Sequence, residues 1–84
     1  MPFLHIIWDL ENDPKGNVRH IAEHGVSSAE VVEVLQRPIS YKTSRSTGRP
    51  VVVGTTSSGR TILVVYEEID EDTAYPVTAY ALED

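Results

Sequence analysis

The sequence lacks cysteine and is poor in large aromatic residues. Its 84 residues include no cysteine, one tryptophan, one phenylalanine and four tyrosines. Without cysteine the chain can form neither a disulfide framework nor a thiolate metal site, and a cysteine nucleophile is excluded. A chain of this length buries a limited fraction of its surface, so packing alone must stabilise it.

Long hydrophobic runs are also absent. The apolar stretch 2–8 is short and contains His5, unlike a signal peptide, and no window approaches the about 18 apolar residues that a membrane span needs. With 40% hydrophobic and 24% charged residues, the composition is that of a folded soluble domain. We therefore expect a single domain over residues 1–84, located in the cytoplasm and with no membrane contact.

Acidic residues are missing from the middle of the chain. Between Val34 and Tyr66 there is no Asp or Glu, whereas residues 67–84 contain seven acidic residues and no basic one. The formal net charge of −6 disfavours general affinity for nucleic acid or anionic membranes. A local cationic surface can nevertheless form from the basic residues of the middle segment, which are Arg37, Lys42, Arg45, Arg49 and Arg60.

The first half of the chain predicts one strand and two helices. A β-branched and aromatic run predicts a strand over 3–8. Asp13 and Pro14 are typical of the N-cap and first turn of a helix, which Gly25 would end. On this helix Asn17, His20 and His24 fall on a polar face opposite an apolar stripe.

The next helix has a clearer start and end. Ser27 and Glu30 form an S-x-x-E capping box, and Pro38 predicts an end near residue 36 or 37. The predicted buried face consists of Ala29, Val31, Val32, Val34 and Leu35.

The second half predicts strands over 39–45, 51–56, 61–67 and 73–81, with a solvated acidic turn over 67–72. The run 62–66 is apolar at every position, which is typical of a central strand buried on both faces. Pro76 predicts an edge position or a bulge in the last strand. The expected architecture is α+β, in the order β-α-α-β-β-β-β, with a mainly antiparallel sheet covered on one face by two short helices.

An uncovered sheet face would expose apolar side chains. In the run 62–66, Ile62, Val64 and Tyr66 would point to one face and Leu63 and Val65 to the other, and only one of these two sets can meet the helices. The other set would share the uncovered face with Val52 or Val53 and with a tyrosine from the last strand. Apolar patches of this kind usually contact a partner.

The order of elements and several short motifs resemble the BrnT-like toxins, small proteins of bacterial type II toxin–antitoxin pairs with a RelE-like fold. The motifs are Trp8-Asp9 after the first strand, Asn17 on the first helix, His24-Gly25-Val26 at its end, Arg49 through Gly54 entering a strand, and Gly59-Arg60 before Val64-Val65-Tyr66. The resemblance implies endoribonuclease activity, usually on messenger RNA, and inhibition by a DNA-binding antitoxin. It also implies that RNA lies on the sheet face away from the helices.

The chain departs from the family pattern at two places. An insertion of about one helical turn between Trp8 and His24 makes Asn12 a competitor of Asn17 for the family's asparagine. The final strand, 73–81, contains no basic residue, whereas the family typically ends on one. This second departure favours an alternative, a non-catalytic relative of the same fold that acts as a protein-binding module.

RNA cleavage requires a base for the 2′-hydroxyl, an acid for the leaving oxygen and cations around the phosphate. The predicted catalytic residues are His24, Arg49 and Glu67, and the predicted RNA- and phosphate-binding residues are Lys42, Arg45 and Arg60. The alternative interpretation of these residues is solvated strand ends, turns and helix caps.

We expect no cofactor and no metal site, since His20 and His24 lack an evident third ligand. The expected partners are an antitoxin or another protein on the open sheet face, a second copy of the chain, and an RNA substrate.

Overall fold

The structure, a computed structural model, describes residues 5–45 and 47–82, and over these ranges the chain forms two helices and five strands. The elements are β1 (His5–Ile6), α1 (Asn17–Glu23), α2 (Ser28–Gln36), β2 (Ser40–Thr43), β3 (Pro50–Thr55), β4 (Thr61–Asp70) and β5 (Thr73–Ala81). The predicted α+β order is confirmed. Residues 3 and 4 of the predicted first strand lie outside the described residues.

The strands form one mixed sheet in the order β1-β5-β4-β3-β2. Neighbouring strands from β2 to β5 are antiparallel, and β1 is parallel to β5. Short connections that contain Gly48 and Gly59, at φ 74° and 91°, allow the chain to reverse between antiparallel neighbours. The expectation of a mainly antiparallel sheet is therefore confirmed.

Both described helices lie against the same face of the sheet, and the core is between the two layers. Ile21 of α1 and Val31, Val34 and Leu35 of α2 are at most 2% exposed. They pack with sheet residues whose side chains alternate toward the helices, namely Val52, Ile62, Val64, Tyr66, Ala74 and Ala79. A β-carbon at Gly54 would lie 3.1 Å from the Arg37 carbonyl oxygen, so the glycine permits a close approach of α2 to β3.

Helix α1 starts later than Asp13-Pro14 predicts. Gly16 is its N-cap, whereas the Asp13 carboxylate accepts the Lys15 N–H at 2.9 Å within the preceding turn. The predicted end is confirmed, because Gly25 has φ 76° and the Val26 N–H donates to the Ile21 carbonyl at 3.0 Å. The predicted polar face was wrong for Asn17, which is only 3% exposed.

Helix α2 confirms its sequence signals. The Ser27 hydroxyl accepts the Glu30 N–H at 3.2 Å, and the Glu30 carboxylate accepts the Ser27 N–H at 3.0 Å. The prediction that Ala29 is buried was wrong, since Ala29 is exposed and Val32 half-buried. The core stripe follows residues 31, 34 and 35, and residue 29 lies on the opposite side of the helix.

The β4–β5 hairpin is longer than the sequence predicts. Strand β4 continues to Asp70, so the predicted solvated turn over 67–72 is reduced to residues 71 and 72. The side chains of residues 67–70 are exposed, while Glu67, Glu68 and Asp70 pair with β5 and the register shifts at Ile69. Exposed side chains on a paired backbone explain how an acidic run can extend a strand. The bulge predicted from Pro76 is confirmed, since the register shifts by one residue between Thr78 and Pro76.

Candidate functional site on the open sheet face

The sheet face away from the helices carries a half-buried apolar patch. Val53 is opposite Leu63 and Val51 is opposite Val65 in the register of β3 and β4. Val53, Leu63 and Val65 are half-buried, whereas Val52 belongs to the core on the other face. The predicted patch therefore exists, and its β3 members are Val51 and Val53.

A cation and a carboxylate meet beside this patch. A guanidinium nitrogen of Arg49 lies 3.7 Å from a carboxylate oxygen of Glu67, and the two side chains are 38% and 49% exposed. Arg49 directly precedes β3. Its backbone is held in place by a hydrogen bond in which the Arg49 carbonyl accepts the Ser44 N–H at 2.8 Å. Such a solvated ion pair contributes less than about 1 kcal/mol to stability, so both groups can interact with a ligand at little cost.

Tyr75 and Asp9 extend this arrangement toward β1. Glu67 is opposite Tyr75 in the register of β4 and β5, and the Tyr75 hydroxyl donates to the Asp9 carboxylate at 2.6 Å. This hydrogen bond raises the pKa of Tyr75 to about 12, with burial and nearby negative charge adding to the shift. The same hydrogen bond is the main cause that lowers the pKa of Asp9 below its usual 3.8, and the hydrogen bond from the Asn17 N–H is the second cause.

Asn17 connects Asp9 to the sheet. Its side-chain amide donates to the carbonyls of Ile7 and Pro76, each at 3.0 Å. Its carbonyl oxygen accepts the Asp9 N–H at 2.9 Å, and the Asn17 N–H donates to the Asp9 carboxylate at 2.9 Å. The buried amide thus joins the end of β1, the start of α1 and the edge of β5.

Two further predicted residues lie near Arg49 in the β2–β3 hairpin. Lys42 is opposite Val51, so its side chain emerges on the open face beside the patch. Arg45 lies in the connection that follows β2, and both side chains are exposed. The structure therefore groups Lys42, Arg45, Arg49 and Glu67 at one end of the sheet.

The remaining predicted residues lie elsewhere. One guanidinium nitrogen of Arg60 donates to both Glu30 carboxylate oxygens, at 2.8 and 3.0 Å, and to the Gly25 carbonyl at 3.1 Å. His24 caps the C-terminus of α1, where its ring centroid is 5.1 Å from that of His20 and 6.3 Å from that of Tyr80. Arg60 is thus occupied by a structural contact, and His24 is not part of the Arg49–Glu67 group.

Sequence reasoning missed Tyr75 and Asp9. Tyr75 directly precedes Pro76, but the bulge there changes which face each residue of β5 occupies. Asp9 lies eight residues before its backbone partner Asn17, and neither contact has a local sequence signal. A test of all registers that place an acidic residue of β4 opposite a tyrosine of β5 would have found the pair Glu67 and Tyr75.

The candidate site is a surface and not a cleft. Over residues 5–45 and 47–82 the molecule has no pocket, and the same residues include no cluster of three or more potential metal ligands. None of the helices described is long and apolar enough to cross a membrane.

No family model, curated protein or solved structure matches the chain. The resemblance to the BrnT-like toxins therefore stays a prediction.

Proposed function

We propose that the chain is a toxin-like endoribonuclease, similar to the BrnT-like toxins, that binds single-stranded RNA on its open sheet face. The observation that carries the proposal is the 3.7 Å contact between Arg49 and Glu67, with Lys42 on the same face. The element order β-α-α-β-β-β-β, which the resemblance implies, supports it as well. A flat face without a pocket suits an extended strand whose bases are splayed out.

The proposed chemistry assigns one role to each of these groups. Glu67 takes the proton of a 2′-hydroxyl, and the 2′-oxygen forms a bond to phosphorus while the bond from phosphorus to the 5′-oxygen breaks. Arg49 and Lys42 stabilise the negative charge that grows on the phosphate. The leaving 5′-oxygen takes its proton from water, because the Tyr75 proton is donated to Asp9. The products are a 2′,3′-cyclic phosphate and a 5′-hydroxyl.

Bound phosphate would also activate the base. In the free protein Arg49 is paired with Glu67, whose carboxylate is half-exposed. A phosphate group binds a guanidinium through two hydrogen bonds and therefore competes with the carboxylate for Arg49. Glu67 would then be released to accept a proton next to the phosphate.

A second candidate function is supported by the apolar patch. Val53, Leu63 and Val65 are half-buried on a sheet face that the helices leave uncovered. The phosphates and sugars of RNA do not require apolar contacts for binding, whereas protein interfaces contain apolar centres with polar rims. A non-catalytic relative would use this face to bind a protein, and the Arg49–Glu67 pair would belong to its rim.

Cleavage of a short single-stranded RNA by the purified protein tests the first function. We expect cleavage to fall at least about 100-fold in Glu67→Gln, since general bases contribute that much, and by a comparable factor in Arg49→Ala. Glu68→Gln, on the adjacent position of β4, and Arg19→Ala, on the exposed side of α1, are the matched controls and should retain activity within about twofold.

The outcome also separates the two functions. If the wild-type protein leaves RNA intact and its expression without a partner does not arrest growth, the ribonuclease proposal is wrong and the protein-binding function remains. Growth arrest that Arg49→Ala relieves would support the ribonuclease.

A further inference from the structure

Strand β2 forms one edge of the sheet, with its backbone open on the side away from β3. The Ser44 N–H donates to the Arg49 carbonyl, and bonding alternates along an antiparallel pair. The backbone groups of Tyr41 and Thr43 therefore point outward, away from β3. An edge of this kind can accept an additional strand from another chain.

Exposed apolar side chains lie along this edge. Ile39 is 69% exposed and Tyr41 is 62% exposed, which is high for large apolar residues in a small domain. Helix α2 packs on β3 and β4, and it does not cover these two side chains. They offer contacts to a bound strand beyond its backbone hydrogen bonds.

The edge is also the cationic side of an acidic molecule. Arg37 precedes β2, Lys42 lies within it and Arg45 follows it. In the part of the chain that the structure describes, the ion pairs involve Arg49 and Arg60, so these three cations have no carboxylate within 4 Å. No acidic residue occurs between Val34 and Tyr66 to neutralise them locally.

We propose that the β2 edge binds an acidic, extended segment of a partner protein, which adds a strand next to Tyr41 and Thr43. Acidic side chains of the segment pair with Lys42 and Arg45, and apolar ones contact Ile39 and Tyr41. Charge selects this occupant over a second copy of the chain, because two β2 edges brought together would place Lys42 and Arg45 near their own equivalents. The proposal does not require the ribonuclease function, although an acidic segment and an RNA phosphate would compete for Lys42.

The test is an NMR titration of the ¹⁵N-labelled full chain with a blocked peptide of about ten residues that alternates Glu and Val. We expect the Tyr41 and Thr43 amides to shift and to become protected from hydrogen exchange. The equivalent Lys-Val peptide should not bind. Added salt should weaken binding of the acidic peptide.

Two variants examine the backbone and the charge separately. Thr43→Pro removes an outward N–H and leaves the ladder to β3 intact, so it should abolish protection at Tyr41. Lys42→Glu should weaken binding about tenfold, whereas Lys15→Glu, the same charge change in the turn before α1, should leave it within about twofold. If Thr43→Pro fails to fold, Lys42→Glu and the amide protection still decide the proposal.

Three results would overturn the proposal. These are equal binding of the acidic and basic peptides, shifts confined to the open face or to the helices, and protection of Tyr41 and Thr43 that grows with protein concentration in the absence of peptide. The last result would identify a second copy of the chain as the occupant.

Discussion

At the scale of single residues, the buried Asn17 amide connects three segments of the chain through its side-chain hydrogen bonds. It donates to the carbonyls of Ile7 and Pro76 and accepts the Asp9 N–H. Over the residues that the structure describes, β1 pairs with β5 at His5 and Ile6, and beyond Ile6 the Asn17 side chain bridges the two segments through Ile7 and Pro76. A polar residue thus holds three elements together.

Asn17→Ala should lower the free energy of unfolding by about 3 kcal/mol, because it leaves several partly buried backbone groups without partners. Denaturant unfolding of the variant measures this loss. Asn12→Ala is the matched control, since Asn12 is exposed and should change stability by less than about 0.5 kcal/mol. A loss below about 1 kcal/mol in Asn17→Ala would show that water replaces the amide.

The hydrogen bond from Tyr75 to Asp9 should make stability depend on pH at both ends of the range. The pKa of Tyr75 is raised from 10.0 to about 12. The contribution of Tyr75 to the free energy of unfolding is therefore complete below pH 10 and is lost between pH 10 and 12. The pKa of Asp9 is lowered from 3.8, so its contribution is present above pH 3.8 and is lost as the pH falls further.

Tyr75→Phe removes the ionisable hydroxyl of Tyr75. It also removes the hydrogen bond that contributes most to the lowered pKa of Asp9. Its stability should therefore change less with pH than that of the wild-type chain, both above pH 10 and below pH 4. Unfolding free energies measured across the pH range for the variant and the wild-type chain give the comparison. Curves for Tyr75→Phe and wild type that run parallel would contradict the account.

At the scale of elements, local signals predicted α2 better than α1. The capping box of Ser27 and Glu30 and the stop at Pro38 depend on residues within a few positions, and the structure has both boundaries near the predicted ones. The start of α1 depends on Asp9, whose carboxylate accepts the Asn17 N–H from eight residues away. A contact from eight residues earlier has no local sequence pattern, whereas Asp13-Pro14 has one and predicts a start that the structure places at Gly16.

The same limit applies to the candidate site. Charge segregation identified Lys42, Arg45, Arg49 and Arg60 as a group, but Glu30, thirty residues away, binds Arg60. The contact of Arg49 with Glu67 requires the register of β3 and β4, and the position of Tyr75 depends on a bulge. Composition therefore indicated which residue types belong to the site, and cross-strand pairing decided which of them meet.

Gly54→Ala tests the packing of α2 on β3. A β-carbon would lie 3.1 Å from the Arg37 carbonyl oxygen and 3.3 Å from a Val34 methyl carbon, so the end of α2 must shift. Replacing a strand glycine gains up to about 1 kcal/mol in chain entropy, whereas overpacking costs about 1–3 kcal/mol. We expect a net loss of about 1 kcal/mol in unfolding free energy, with Thr55→Ala as the exposed control. A more stable Gly54→Ala protein would show that the two layers are less tightly packed.

At the scale of the whole molecule, opposite charges meet at one end of the sheet. The basic β2–β3 hairpin and the acidic β4–β5 hairpin project from the same end, and Arg49 contacts Glu67 between them. With a formal net charge of −6, the molecule cannot attract RNA from a distance as a basic protein does. If the proposed function holds, RNA binding to the open face depends on short-range contacts with Lys42, Arg45 and Arg49, and few counterions should be released.

The location of bound RNA on the protein distinguishes the open sheet face from every other surface as the proposed binding site. In an NMR titration of the labelled chain with a short single-stranded RNA, we predict shifts at Lys42, Arg49, Val65 and Glu67 on the open face. Residues of α1 and α2 on the other face should not respond. Shifts confined to the helices, or no shifts at RNA concentrations where a ribonuclease would be saturated, would contradict the account.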